Sequence, residues 1–245
     1  NHYLFSVINI DGMLRDNRII IRKFDQKNKL VQTFTKVFNP EDVSYLNNYL
    51  GSFESGTDKF IAITESYSKT SLKKEISKHV FDKQTGLFES SVIVTYPIES
   101  LSKSGTSMVK TSENNNYTGI DFIAAGPKGT PEVNFITMLD VNGNVLWKNE
   151  NPLDPAFSTR SLTITNSGNA VLLRAPKSWK QTTALTLITK DGKEDKSFES
   201  AINVHDPKAV SIGTKDYLIA VNYPDKTRSC DFENIMLYDL ENGKV

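Results

Sequence analysis

Phe135-Ile-Thr-Met-Leu-Asp-Val-Asn-Gly-Asn-Val-Leu-Trp147 reads as strand, tight turn, strand. Apolar and polar residues alternate on both arms, the period-2 pattern of strands with one face in a core. Asp140 suits the start of the turn because its carboxylate accepts bonds from nearby backbone N–H groups. Gly143 suits its end because it tolerates positive φ. The unit recurs at Phe24 to Val31, Phe81 to Phe88, Thr189 to Lys193 and Tyr238 to Val245. Its aspartates are Asp25, Asp82, Asp140, Asp191 and Asp239, separated by 57, 58, 51 and 48 residues.

A second marker keeps step with the first. Apolar runs begin at Tyr3, Phe60, Ile120, Ala170 and Tyr217, which stand 22, 22, 20, 21 and 22 positions before those aspartates. Self-similarity at about 50 residues is the signature of a modular array. Within a repeat the pattern predicts four strands. The first is rich in small residues (Thr106 to Lys110, Thr159 to Ile164, Ala209 to Ile212, less clearly Tyr45 to Leu50). The second is the apolar marker, and the Asp turn joins the third to the fourth. No stretch has helical periodicity; Tyr45 to Leu50 and Ser71 to His79 come nearest and read as strand or loop. The expectation is an all-β chain, a β-propeller of four-stranded antiparallel blades. It forms a single domain with repeats over 1–40, 41–99, 100–155, 156–205 and 206–245. The first repeat lacks its innermost strand and the last its outermost. Since an open ring leaves strand edges unpaired, the chain is expected to be part of a longer one.

Composition narrows the classes of partner. Lysine plus arginine and aspartate plus glutamate both number 29 in 245 residues, so no net field steers the chain to nucleic acid. No run approaches 18 apolar residues, so no membrane span is expected, and the opening Asn1-His-Tyr-Leu-Phe-Ser-Val resembles a strand rather than a leader. One cysteine, Cys230, excludes an internal disulfide and a cysteine metal cluster, and reads as a partly buried thiol. His2, His79 and His205 fall in different repeats without metal-ligand spacing, so no metal and no cofactor are expected.

The unit Met138 to Lys148, with Leu139-Asp140, Gly143 and Trp147, resembles the leucine–aspartate–x–x–glycine–x–x–x–tryptophan repeat of quinoprotein-like (PQQ-like) propellers and of related bacterial envelope and secreted repeat proteins. The resemblance implies the propeller fold, a secreted or envelope location, and a Trp147 docked against the next blade. It implies no bound quinone, since no site residues carry over.

For chemistry, propeller glycoside hydrolases need paired carboxylates on inner strands. The inner strands assigned here carry Ser, Thr, Asn, Lys and Arg but no Asp or Glu, and the five turn aspartates read as caps. The spacing from Asp140 to Gly143 is longer than that of a sialidase Asp-box. What remains is recognition by loops between second and third strands. These carry Arg15, Tyr67, Lys177, Trp179, Lys180, Tyr223 and Arg228, aromatic and cationic residues suited to a glycan or protein partner. The expected function is a non-catalytic binding or scaffolding module. Alternatives are a carbohydrate-active enzyme with its carboxylates outside this segment, and a cytoplasmic interaction scaffold.

Overall fold

The computed structural model describes residues 2–8, 18–37, 45–68, 71–100, 103–124, 133–176, 183–196, 203–223 and 234–242. Packing divides the chain into two units, 1–104 and 105–245. In the first unit, β1 (His2–Ile8), β2 (Arg18–Phe24) and β3 (Leu30–Val37) form a three-stranded sheet. There β4 (Tyr45–Ser55), β5 (Lys59–Ser68), β6 (Lys73–Asp82) and β7 (Phe88–Pro97) form a four-stranded one. The second unit holds a third sheet of β8 (Thr106–Thr111), β9 (Thr118–Ala124), β10 (Val133–Leu139) and β11 (Val145–Pro152). Its fourth sheet is β12 (Phe157–Ile164), β13 (Ala170–Pro176), β14 (Ala184–Thr189) and β15 (Gly192–Lys196). Its fifth is β16 (Asn203–Ile212), β17 (Lys215–Tyr223) and β18 (Asn234–Asp239). Each strand pairs antiparallel with the next in its sheet. The two ambiguous stretches are both strands: Tyr45 to Leu50 opens β4, and Ser71 to His79 runs into β6. No helix among the described residues is long and apolar enough to cross a membrane.

Four of the five turn aspartates cap as expected. Asp25 Oδ1 accepts the N–H groups of Lys27 at 2.8 Å and Lys29 at 2.9 Å. Asp82 takes Gln84 and Thr85, Asp140 takes Asn142 and Asn144, and Asp239 takes Glu241 and Asn242, all between 2.8 and 3.0 Å. Gly143 closes its turn at φ 71° and donates to Asp140 O at 3.0 Å. Asp191 departs from the pattern. Its hairpin is shorter, and Thr189 Oγ1 accepts the Asp191 N–H at 3.1 Å instead, with Gly192 at φ 143°.

Burial explains why the second strands are unbroken apolar runs. Along β13, Ala170 and Leu172 join a cluster with Ile136, Met138, Leu162, Ile164 and Ile188. The alternate residues Val171 and Leu173 join another with Val204, Leu218, Met236 and Tyr238. Alternate side chains point to opposite faces, so both faces of the fourth sheet are covered, one by the third sheet and one by the fifth. Each buried Leu or Ile contributes about 1.5–3 kcal/mol. Trp147 on β11 packs partly buried against the first of these clusters. In the first unit a separate cluster joins Ile19 and Ile21 of β2 to Ala62 and Phe81, with Phe34 and Phe88 tilted against Phe81.

The third and fourth sheets meet so closely that one position excludes a side chain. A methyl group on Gly119 of β9 would lie 2.3 Å from Ile164 Cδ1. Beside it Asp121 is fully buried. Asn134 Nδ2 donates to Asp121 Oδ1, while Oδ2 has no hydrogen-bond partner among the described residues. Burial pushes this carboxyl up from 3.8 to about 8, and the Asn134 bond opposes the rise only in part.

Gly119→Ala is expected to cost about 1–3 kcal/mol in urea unfolding through overpacking, and Ile164→Val in that background to recover part of the loss. An unchanged Gly119→Ala midpoint would show that the two sheets have slack there. Asp121 predicts a pH dependence of definite sign. Between pH 4 and 8 its unfolded carboxyl has lost the proton that the folded one keeps, so stability falls as pH rises through that window. The slope is up to about 1.4 kcal/mol per unit. Asp121→Asn should flatten the fall when unfolding is compared at pH 5 and pH 8; identical slopes would mean the folded carboxyl ionises normally.

Candidate functional site

The first strands of the last three sheets, β8, β12 and β16, are neighbours in the second unit, and a cavity of about 930 Å³ opens along them. Its wall combines apolar side chains such as Leu162 and Val204 with the hydroxyls of Ser161 and Thr163. Thr163 Oγ1 donates to Pro207 O at 3.2 Å, which fastens β12 to β16. Ser161 Oγ is buried and has no hydrogen-bond partner among the described residues.

Three cations line this cavity, one from each inner strand: Lys110, Arg160 and Lys208. Local backbone irregularity aims two of them. Thr159 pairs with Arg174 and Ser161 with Leu173, so Arg160 is the extra residue of a β-bulge. In β16 the register shifts between His205 and Lys208, so a second bulge ends at the lysine. Bulges bend a strand and re-aim the side chains they carry. Lys110, Arg160 and Lys208 are exposed, and among the described residues none is paired with a carboxylate. Glu113 is the one acidic residue found on the wall among those described.

A different polar cluster sits in the first unit. Glu65 on β5 lies across from β6, where Lys74 is fully buried with Nζ 3.0 Å from Glu65 Oε2. Tyr67 donates its hydroxyl proton to Glu65 Oε1 at 2.8 Å, and Asn48 Nδ2 donates to the same oxygen at 3.1 Å. Lys74 Nζ also stands 4.9 Å from the Tyr67 ring centroid. Burial raises the Tyr67 hydroxyl to about 12, against the hydrogen bond with Ser104, and burial lowers the Lys74 ammonium against the pull of Glu65. The cluster satisfies itself and, with Lys74 sealed from solvent, reads as a structural network.

Nearby, His79 is buried with Nε2 2.9 Å from Thr64 Oγ1 and Nδ1 2.8 Å from Ser90 Oγ. Burial, reinforced by Lys36, lowers its pKa to about 4. Both ring nitrogens are engaged, so no lone pair is left for a metal. Among the described residues no group of three or more His, Cys, Asp or Glu is placed to hold a metal ion.

Of the residues proposed from sequence, Tyr67 is half-buried within β5, because that strand runs on to Ser68 into what was read as loop. Tyr223 ends β17 opposite Asn203. Arg15, Lys177, Trp179, Lys180 and Arg228 lie outside the described residues. The inner strands also run longer than expected: β4 includes Glu54 and β16 includes Asp206, so they are not free of acidic residues. Glu54 is exposed and pairs with Lys83 at 2.8 Å. The cavity cations were not singled out from sequence. A signal existed, since Lys110, Arg160 and Lys208 stand 30, 31 and 31 residues before Asp140, Asp191 and Asp239.

No protein-family model matches the chain, and no curated protein matches it in sequence. Solved structures match it in fold. Cobalt-substituted Synechocystis ACO superposes with a TM-score of 0.52 at 10% identity, covering 97% of this chain and 55% of that one. A single-residue variant of Synechocystis apocarotenoid oxygenase (ACO) gives 0.50 at 10% identity over 98% and 55%. An ACO/RPE65 chimera gives 0.50 at 10% over 97% and 55%. The resemblance to quinoprotein-like propellers finds no support among these. The expectation of a non-catalytic binding or scaffolding module is overturned by the same neighbours, because a fold shared with oxygenases is one that carries catalysis. That expectation rested on missing inner-strand carboxylates, which bears on glycosidic chemistry and not on catalysis in general. The chain spans about half the length of the structures it matches, and what it shares with them is their fold.

Proposed function

We propose that this chain is part of a β-propeller enzyme, its sheets standing as blades, and that the second unit supplies a substrate cavity along its inner strands. The observation that carries the reading is the cavity of about 930 Å³ where β8, β12 and β16 come side by side. It is large enough to enclose a small molecule, and it combines an apolar wall with a few polar groups, the usual make-up of a ligand site. The propeller reading is supported by the repeated four-stranded meander and by the fold likeness to apocarotenoid oxygenases.

One of those neighbours is cobalt-substituted. The described residues of this chain do not fit such an ion. His2 stacks on Phe24, His79 is held by two hydroxyls, and no other ligand group gathers beside them. No step through a metal follows from them. What these side chains supply is binding and orientation. Apolar groups exclude water from one side of a ligand, while hydroxyls and cations fix its polar end.

Filling the cavity tests the reading. In the full-length protein, screened for turnover against a panel of small-molecule substrates with dioxygen uptake among the readouts, Ala209→Trp should lower kcat/KM at least tenfold. Its unfolding midpoint should stay near that of the unsubstituted protein. Ala209 lines the cavity and is half-buried, so the indole occupies ligand space. Unchanged turnover in a folded Ala209→Trp variant would place the chemistry elsewhere.

A further inference from the structure

We infer that this cavity takes a small molecule bearing a dianionic group, a phosphate or a pair of carboxylates, gripped by Lys110, Arg160 and Lys208. The inference rests on the reading of the cavity as a substrate site and adds the chemical class of what enters it.

Four observations converge. First, the wall is out of balance in a chain that is otherwise neutral. Lysine plus arginine equals aspartate plus glutamate over the whole sequence, yet here three cations face one carboxylate, Glu113, a net charge of +2 among the described residues. Elsewhere some lysines find carboxylates: Lys74 with Glu65, Lys83 with Glu54, Lys103 with Glu99, Lys215 with Asp239. Solvent screens the repulsion between these exposed cations, and the net +2 they leave with Glu113 is the charge that a dianion neutralises.

Second, two of them stand at β-bulges, where a strand re-aims the side chains it carries. Arg160 is itself the extra residue of a bulge, and Lys208 closes another. Third, the fold does not require cations here. Where the second sheet has the matching bulge, between Tyr49 and Gly51, the extra residue is the uncharged Leu50, and that sheet forms equally well. Fourth, next to Arg160, the cavity-lining Ser161 has a buried hydroxyl with no hydrogen-bond partner among the described residues. Such a group costs stability unless something supplies its bond. A planar guanidinium donates two parallel N–H bonds to a carboxylate or phosphate, and the lysines add point charge from either side.

Calorimetric titration of the full-length protein at low salt, with inorganic phosphate and with succinate, tests this. Binding is expected for at least one of them, weakening as salt is raised. It should be at least tenfold weaker in Arg160→Met and in Lys208→Met, and unaltered in Lys148→Met, an exposed cation on the outer strand β11. All three positions are exposed, so folding is not at stake, and circular dichroism confirms it. Phosphate binding more tightly than succinate assigns a phosphorylated ligand; the reverse assigns a dicarboxylate. Failure of both anions to bind, or equal binding to the Arg160→Met variant, overturns the inference. The two readings fail separately. If Ala209→Trp abolishes turnover of a neutral substrate while the cation variants leave it intact, the substrate cavity stands and the anionic ligand falls. If Ala209→Trp leaves turnover unchanged while dianions still bind through Arg160 and Lys208, the anion site stands and the reading of the cavity as the substrate site falls.

Discussion

Covering both faces of one thin sheet sets the terms for everything else in the second unit. The run Ala170-Val171-Leu172-Leu173 can be buried throughout because its alternate side chains enter two different clusters. Remove the third sheet and one cluster opens to water; remove the fifth and the other does. An antiparallel meander standing alone would show one wet face and an alternating sequence. This one shows unbroken apolar strands in its middle, so its neighbours are part of its stability. The close approach of Gly119 to Ile164 follows from the same requirement, since two sheets pack to the density of a solid only if some positions give up a side chain.

Polar groups then hold the sheets in register where apolar packing is indifferent to small slides. The inner hairpin turns of the second unit are tied in sequence. Asn114 N–H donates to Asn166 Oδ1 at 3.0 Å, and Ser167 donates from its hydroxyl and its N–H to Asp216. Ser211 Oγ reaches the other oxygen of Asp216 at 2.6 Å. Burial would raise the Asp216 carboxyl, yet the hydroxyls of Ser167, Ser211 and Thr165 bring it below the ordinary carboxylate range. A charged, well-donated carboxylate here and a protonated one at Asp121 show the same physics with opposite outcomes. The difference is the number of donors each finds.

With both faces of the middle strands committed to the core, the first strands of the three sheets carry exposed side chains beside a cavity. Lys110, Arg160 and Lys208 face a cavity that the clusters do not fill. Their side chains are therefore free to vary without loosening the core, the usual division between scaffold and site. Glu65, Lys74 and Tyr67 illustrate the opposite arrangement, charges sealed inside and satisfied by each other, whose perturbed protonation reflects burial.

Local pattern was enough to read the strands and their turns. Period-2 alternation at Phe135 to Leu139, apolar runs at Ile120 and Ala170, and aspartate caps at Asp25, Asp82, Asp140 and Asp239 all act between residues a few positions apart, so the sequence carries them directly. Asp191 was misread because its hairpin has one connection too short for the carboxylate to cap. Tyr67 was placed in a loop because polar residues at the end of β5 hide the ladder that continues through them. The site was a matter for the tertiary structure. Lys110, Arg160 and Lys208 are about 50 residues apart along the chain and meet only because three hairpins set their first strands side by side. Whether a strand residue faces a cavity or open water depends on what lies across from it, and that is decided by packing between sheets.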